Sequence, residues 1–289
     1  NAQRPTPNAQ RPTPNAPITD RYAVIGNPIA HSRSPWLHAE FARQTAQDLT
    51  YDRILGPVDG FVAAVDAFRA DGGRGLNVTL PFKLEAFAYA TRRSERAQAA
   101  GAVNTLAFDG ADVFGDNTDG AGLVRDLEHN LGATLAGARI LLLGAGGAAR
   151  GAILPLLDRK PARLVVANRT ADKARELAAH FGARGPITGC GLDALAGDAF
   201  DIVIDSTSAA IGGAAFELPH GLYAGGALAY EMIYGKGETV FAAHARAEGV
   251  GRIADGLGML VEQAAEAFAL WRGVRPDTAP VLAALRAGA

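Results

Sequence analysis

The feature that most restricts the fold is the apolar run Ala138-Arg-Ile-Leu-Leu-Leu143, followed at once by Gly144-Ala145-Gly146-Gly147-Ala148-Ala149 and a helical pattern near 148–159. A strand, a turn of the form G-x-G-x-x-A and a helix start are the parts of a dinucleotide-binding βα unit. At Gly146 no Cβ holds a pyrophosphate away from the backbone, and the helix N-terminus offers unpaired N–H groups and the positive end of its dipole. Read alone, the string is a tight turn; its setting between strand and helix gives it a ligand. Further apolar runs at 163–167, 201–205 and 226–230, with a helix near 171–181, predict a parallel sheet carrying helices on both faces.

The strand at 163–167 runs into Asn168-Arg169-Thr170, and Arg169 stands 23 residues beyond Gly146. Chains that bind NAD carry a carboxylate about there for the ribose hydroxyls. Here Arg169 can pair with a 2′-phosphate, Thr170 can hydrogen-bond it, and Lys173 follows one turn later, so the expected cofactor is NADP(H). The alternative is that Arg169 is a solvated charge at a strand end.

The first half has the same syntax, with strands at 22–25, 50–54 and 75–78 and helices at 35–46 and 58–70. A helical pattern at 120–129 joins the halves, and a long one at 257–272 could return to the first. Its apolar stripe (Leu257, Leu260, Val261, Ala264, Ala265, Phe268) reads as core. The expected organisation is α/β with two domains: an N-terminal α/β substrate domain (20–120 plus about 257–289) and a Rossmann-type domain (about 121–256). Residues 1–17 repeat NAQRPTP and have no large apolar side chain. They predict a flexible tail over 1–19.

Composition removes several classes. With 28 Lys+Arg against 30 Asp+Glu the chain lacks the positive field of a nucleic-acid or acidic-membrane binder. The single cysteine, Cys190, fits a reducing compartment. No apolar run reaches the ~18 residues of a membrane span, so a cytoplasmic protein is expected. The six histidines, among them His31 beside the serines, are scattered, and no metal is expected.

Polar residues gather at the ends of the first-half strands. Ser32 and Ser34 could present two hydroxyls to a carboxylate if the segment is extended, or Ser34 could cap a helix with Pro35 at its first position. Asn77 and Thr79 share a face, and Lys83 follows at a helix start, where an ammonium opposes the helix dipole. That conflict points either to a lysine with its pKa lowered for proton transfer or to a snorkelling surface lysine. Asn104, Thr105, Asp116, Asn117 and Asp119 lie near turns; Asp116, Asn117 and Asp119 read either as turn and cap residues or as site groups, with Asp119, ahead of a helix pattern, able to face Lys83 across the sheet. Gln263, on the late helix, reads by itself as an exposed amide.

Taken together, YAVIGNPIAHSRS (22–34), NVTLPFK (77–83), GAVNT (101–105), GDNTDG (115–120), GAGGAAR (144–150), NRT (168–170) and ADGLGMLVEQAAEAF (254–268) resemble the biosynthetic, NADP-dependent shikimate dehydrogenase family. The resemblance runs from about residue 21 to the C-terminus. It implies reversible reduction of 3-dehydroshikimate to shikimate with NADPH, in a cleft between a substrate domain and a Rossmann-type domain. Lys83 and Asp119 match the catalytic pair, and Ser32 and Ser34 the hydroxyls that bind the substrate carboxylate. Asn77, Thr79, Asn104 and Gln263 match binders of the ring hydroxyls, and Tyr234 a tyrosine near the carboxylate. Gly144, Ala145, Gly146, Gly147, Ala148, Asn168, Arg169, Thr170, Lys173, Thr207, Met232 and Gly256 match cofactor contacts. The implied partners are small molecules, for a monomer or homodimer.

Three positions depart from the family pattern. Asp205 stands where Asn is usual, with Ala210 where glycine is common, and Glu231 where Asp is usual. A carboxylate at 205 would repel cofactor phosphates if it pointed at them. Two rival readings are a quinate/shikimate type using NAD and a catalytically silent NADP sensor. The carboxylate-free Asn168-Arg169-Thr170 opposes the first, and the intact Lys83/Asp119 pair the second.

Overall fold

The computed structural model describes residues 19–207, 217–235 and 237–288. The duplicated segment at 1–17 and the Ala209-Ala210 position lie outside the described residues. Of the expected 1–19 tail only Thr19 is described, and its hydroxyl donates to Asp48 Oδ2 at 3.2 Å.

The first half begins β1 (Asp20–Gly26), α1 (Ser34–Thr45), β2 (Leu49–Leu55), α2 (Phe61–Ala70), β3 (Gly73–Val78). β1 buries its last five residues, as a central parallel strand covered on both faces must. It pairs in parallel with β2 and β3. Next come α3 (Lys83–Tyr89), β4 (Arg92–Arg93), α4 (Glu95–Ala100), β5 (Thr105–Asp109) and β6 (Asp112–Asp116), completing a sheet of order β2-β1-β3-β5-β6-β4. This sheet is mixed: β5 runs antiparallel to both β3 and β6. The β5–β6 hairpin turns through Asp109-Gly110, with Gly110 at φ +57°, and its arms are only five residues each.

The second half opens with α5 (Asp119–Arg125), whose last turn widens into a π-helix through Asn130. Then follow β7 (Arg139–Leu143), α6 (Gly147–Leu157), β8 (Arg163–Ala167), α7 (Ala171–Phe181), β9 (Ile187–Cys190), β10 (Phe200–Asp205), β11 (Tyr223–Glu231), α8 (Val240–Ala247) and β12 (Arg252–Ala254). They form the expected parallel sheet, in the order β12-β11-β10-β7-β8-β9. Ile140 and Leu142 of β7 face one core layer, and Leu141 and Leu143 the other.

The chain then returns. α9 (Leu257–Arg272) packs Val261, Ala265 and Phe268 against Leu37 and Phe41 of α1 and Val281 of α10 (Ala279–Arg286). Between the halves lies α5, whose glycines permit backbone-close approach on two sides. A Cβ at Gly120 would come within 2.2 Å of the Gly151 carbonyl oxygen on α6, and one at Gly122 within 2.7 Å of Gln263 N on α9. Glu262 is buried at the same joint, accepting from Thr278 (2.6 Å) and Arg275 (2.7 Å) and paired with Arg125 at 3.0 Å. Asp126 accepts from Tyr230 of β11 at 2.7 Å. Among the described residues no helix is long and apolar enough to cross a membrane, and no group of three or more His, Cys, Asp and Glu could hold a metal ion.

His38 of α1 is fully buried and stacks on Tyr51 at 4.1 Å, with neither ring nitrogen hydrogen-bonded among the described residues. Burial pushes its pKa down to about 3. The native ring is therefore neutral where the unfolded chain's ring takes up a proton, so stability falls as pH drops from about 6.5 toward 3, by at most about 1.4 kcal/mol per pH unit. Urea melts across that range should show a shallower fall for His38→Phe than for the wild type; parallel curves would remove His38 as the cause.

Candidate active site

Strand register assembles the polar cluster. Asn77 of β3 pairs with Thr105 of β5, and Thr105 pairs with Asp116 of β6. The antiparallel hairpin thus carries residues 104–105 and 116–119 back to the C-terminal edge of β3, where Asn77, Thr79 and Lys83 follow one another. This juxtaposition depends on the two strands that were hard to read in the sequence.

Lys83 is the first residue of α3 and Asp119 the first of α5. Lys83 Nζ donates to Asp119 Oδ2 at 2.5 Å, and Asn104 Nδ2 donates to Asp119 Oδ1 at 2.8 Å. The carboxylate offsets the opposition between the ammonium and its helix dipole. The two side chains are 28% and 18% exposed, open enough to meet a ligand. Gln263 is held in place: Nε2 donates to Leu260 O at 2.9 Å, and Oε1 faces Asn104 Nδ2 (3.5 Å) and Thr118 Oγ1 (3.4 Å).

The serine segment is not extended. Ser32 N bonds Ile29 O in a turn, Arg33 is in the right-handed helical region, and α1 starts at Ser34 with Pro35 in its first turn. Ser34 does not cap the helix either; its N–H donates to Ser32 Oγ at 3.3 Å. Both residues still line one cavity of about 200 Å³ with Asn77, Thr79, Lys83, Asn104, Asp119, Tyr234 and Gln263. Met232, Gly256 and His31 border the same space. Burial pushes the Tyr234 phenol's pKa up, and the nearby Arg33 charge partly offsets this.

Asp116 proves to be more than a turn residue. It is buried against Arg96 (Nη2 to Oδ2, 2.5 Å) and Ser94 (2.5 Å). Burial alone would raise its pKa, but the Arg96 guanidinium outweighs that and holds the carboxyl below its ordinary value. Sequence reasoning missed Tyr51 and Thr118 as parts of the network and gave Thr105 only as a polar residue near a turn. Thr118 and Thr105 sit inside quoted motifs, whereas Tyr51 on β2 carries no local signal.

The remaining cofactor candidates lie outside that cavity lining, at the C-terminal ends of β7, β8 and β10. Gly144 has φ +104°, and a Cβ there would sit 2.7 Å from Ser206 Oγ, so only glycine fits. Gly146 caps α6 from the extended region. A Cβ on Gly146 or Gly147 would meet nothing within 4 Å and would project into open space above the loop. That is the cradle a pyrophosphate needs, with Ala145 and Ala148 in the same loop. Arg169, Thr170 and Lys173 are exposed nearby, and Asn168 Nδ2 ties the segment by donating to Thr170 O at 3.0 Å. Asp205 is buried and accepts from the Thr207 N–H at 2.9 Å. Burial raises its pKa despite that bond. Glu231 is buried too and accepts from Thr239 Oγ1 at 2.7 Å. A Cβ at Gly256 would lie 2.1 Å from Met232 O, so glycine lets these two backbones touch beside the cavity.

Three family models match successive stretches of the chain: the shikimate dehydrogenase substrate binding domain over residues 24–106, shikimate/quinate 5-dehydrogenase over 126–211, and the shikimate 5′-dehydrogenase C-terminal domain over 256–286. A relative from Aromatoleum aromaticum named shikimate dehydrogenase (NADP(+)) is 63% identical over 92% of this chain and 97% of its own. The chain belongs to the shikimate dehydrogenase family. Solved structures agree in shape. An Ael1 enzyme from Pseudomonas putida superposes with TM-score 0.86 at 52% identity, covering 92% of this chain and 98% of that one. Shikimate 5-dehydrogenase from Thermus thermophilus in complex with NADP(H) and shikimate gives 0.80 at 32%, covering 93% and 99%.

In this family member the Gly122–Gln263 contact leaves no room for a methyl group. Gly122→Ala should destabilise the fold by about 1–3 kcal/mol, the usual magnitude for overpacking. A melting temperature equal to the wild type's would show that α9 can yield there.

Proposed function

We propose that this cavity is where the chain interconverts shikimate and 3-dehydroshikimate, as an NADP-dependent oxidoreductase acting on a CH–OH group. The observation that carries the reading is the convergence of Lys83, Asp119, both serines, the two Asn side chains, Thr79, Tyr234 and Gln263 on one cavity, with Lys83 and Asp119 in contact at 2.5 Å.

Ser32, Ser34 and Tyr234 offer hydroxyls to the substrate carboxylate. Asn77, Thr79, Asn104 and Gln263 orient the ring through its hydroxyls. The open glycine loop fits a dinucleotide, which Gly144–Ala148, Asn168, Arg169, Thr170, Lys173, Thr207, Met232 and Gly256 would hold, with Arg169 on the 2′-phosphate. When bound, the cofactor supplies or accepts the hydride. Lys83 and Asp119 then handle the proton at the substrate oxygen: the ammonium stabilises negative charge there, and the coupled pair delivers or removes the proton. Asp205 stays with the Thr207 backbone rather than competing with phosphate. All these side chains come from one chain, so the site is compatible with the monomer or homodimer we propose. We place the protein in the cytoplasm, consistent with the free thiol of Cys190.

Reduced-cofactor absorbance with shikimate and NADP tests the reaction, and stronger turnover with quinate and NAD would favour the rival type. Lys83→Ala should lower kcat by about 10²–10⁴-fold with a smaller change in KM; wild-type kcat would remove Lys83 from the chemistry. Arg169→Ala should raise the KM for NADP about 10- to 100-fold, the worth of a charge-assisted hydrogen bond, and leave that for NAD nearly unchanged. Equal changes for both cofactors would refute the phosphate assignment.

A further inference from the structure

Behind the cavity a chain of hydrogen bonds runs in one direction. Tyr51 O–H donates to Asn77 Oδ1 at 2.7 Å, Asn77 Nδ2 donates to Thr105 Oγ1 at 3.1 Å, and Thr105 O–H donates to Asn104 Oδ1 at 2.9 Å. Asn104 Nδ2 then donates to Asp119 Oδ1 at 2.8 Å. A carboxylate can only accept, so Asp119 sets the sense of every proton back to the phenol. Tyr51 and Thr105 are buried at 9% and 0% exposure. Tyr51 is held by its stack on His38, with ring planes 5° apart.

The two amides are not held equally. Asn104 Oδ1 also accepts the Thr118 N–H at 2.8 Å, and its Nδ2 donates to Thr118 Oγ1 at 2.9 Å, so it keeps its orientation without Thr105. Asn77 Oδ1 accepts from the Tyr51 phenol at 2.7 Å, with the buried His38 ring beside the same amide. One Asn77 N–H goes to Thr105, and the other makes only a long 3.4 Å contact with Asn104 O, leaving it available at the cavity wall.

We infer that Tyr51 and Thr105 are positioning residues for substrate binding: together they fix which end of the Asn77 amide faces the cavity. Without the phenol, the Asn77 amide loses the short hydrogen bond that orients its oxygen away from the cavity. The loss stops at Asn104, which Thr118 holds, so the effect falls on substrate affinity rather than on the Lys83/Asp119 pair. The inference rests on the reading of Asn77 as a substrate contact.

Steady-state oxidation of shikimate with NADP by the full chain tests it, with thermal melts alongside. Tyr51→Phe keeps the ring stack and should raise the KM for shikimate about 3- to 10-fold, the worth of one neutral hydrogen bond. The kcat and the KM for NADP should change little. Thr105→Val should do the same, and Thr105→Ser, which keeps the hydroxyl, should restore most of the loss. Tyr51→Phe added to Asn77→Ala should cost nothing beyond Asn77→Ala alone. An unchanged KM for shikimate in Tyr51→Phe, when Asn77→Ala raises it, overturns the inference and leaves the site reading standing. No effect of Asn77→Ala overturns that reading and the inference with it. A parallel rise in both KM values with a lowered melting temperature also overturns it, because that marks a merely structural role. If Tyr51→Phe does not fold, the Thr105→Val and Thr105→Ser pair decides by the same readouts.

Discussion

The close packing of α5 is the constraint on which the rest depends. Gly120 and Gly122 let this short helix touch the backbone of α6 on one side and of α9 on the other. Its first residue, Asp119, therefore sits where Lys83 of the first sheet, Gln263 of the returning helix and the second sheet all meet. Larger side chains at 120 or 122 would push these elements apart by more than a hydrogen bond can span. The buried Glu262 and Asp126 networks reinforce the joint with directional bonds, each tying residues of α5 or its π-turn to a neighbouring element. Removing one partner there would strand a buried charge, which costs more than the pair itself contributes.

Carboxylates show how burial and partners sort chemically identical groups into different tasks. Asp116 and Asp119 are neighbours in sequence, yet Asp116 is buried against a guanidinium and pins the β6–α4 corner. Asp119 stays partly open and shares its oxygens between an ammonium and an amide. Asp205 and Glu231, adjacent in register at the ends of β10 and β11, are both buried with raised pKa values. Each accepts from a nearby threonine, Asp205 from a backbone N–H and Glu231 from a hydroxyl. These local bonds hold the carboxylate at position 205 to the chain that follows β10, beside the glycine loop after β7.

Much of the architecture was legible. The long apolar runs of β7, β8 and β10 and the periodicity of α9 appear in the structure nearly as the pattern predicts, because central strands and core-facing helices must be apolar over their length. The short β4, β5, β6, β9 and β12 were not legible: none is longer than five residues, and β5 and β6, though largely buried, mix polar residues such as Thr105, Asp109, Asp112 and Asp116 into their apolar positions. Ser34 misled for a related reason: Ser-Arg-Ser-Pro suits both a cap and an extended segment, and the turn at Ile29–Ser32 settles the backbone instead.

By itself the sequence determined the glycine-rich βα loop after β7, the carboxylate-free Asn168-Arg169-Thr170 after β8 and the residue types available for the site. Those follow from local rules: which side chains let a backbone turn, approach an anion or carry a charge. Only the tertiary structure decided that Asn77, Asn104 and Asp119 are linked in one hydrogen-bonded chain, that Gln263 faces it rather than solvent, and that Tyr51 stands behind it. Those facts depend on antiparallel register and on helix approach distances, which involve residues far apart in the chain and leave no mark in any one segment.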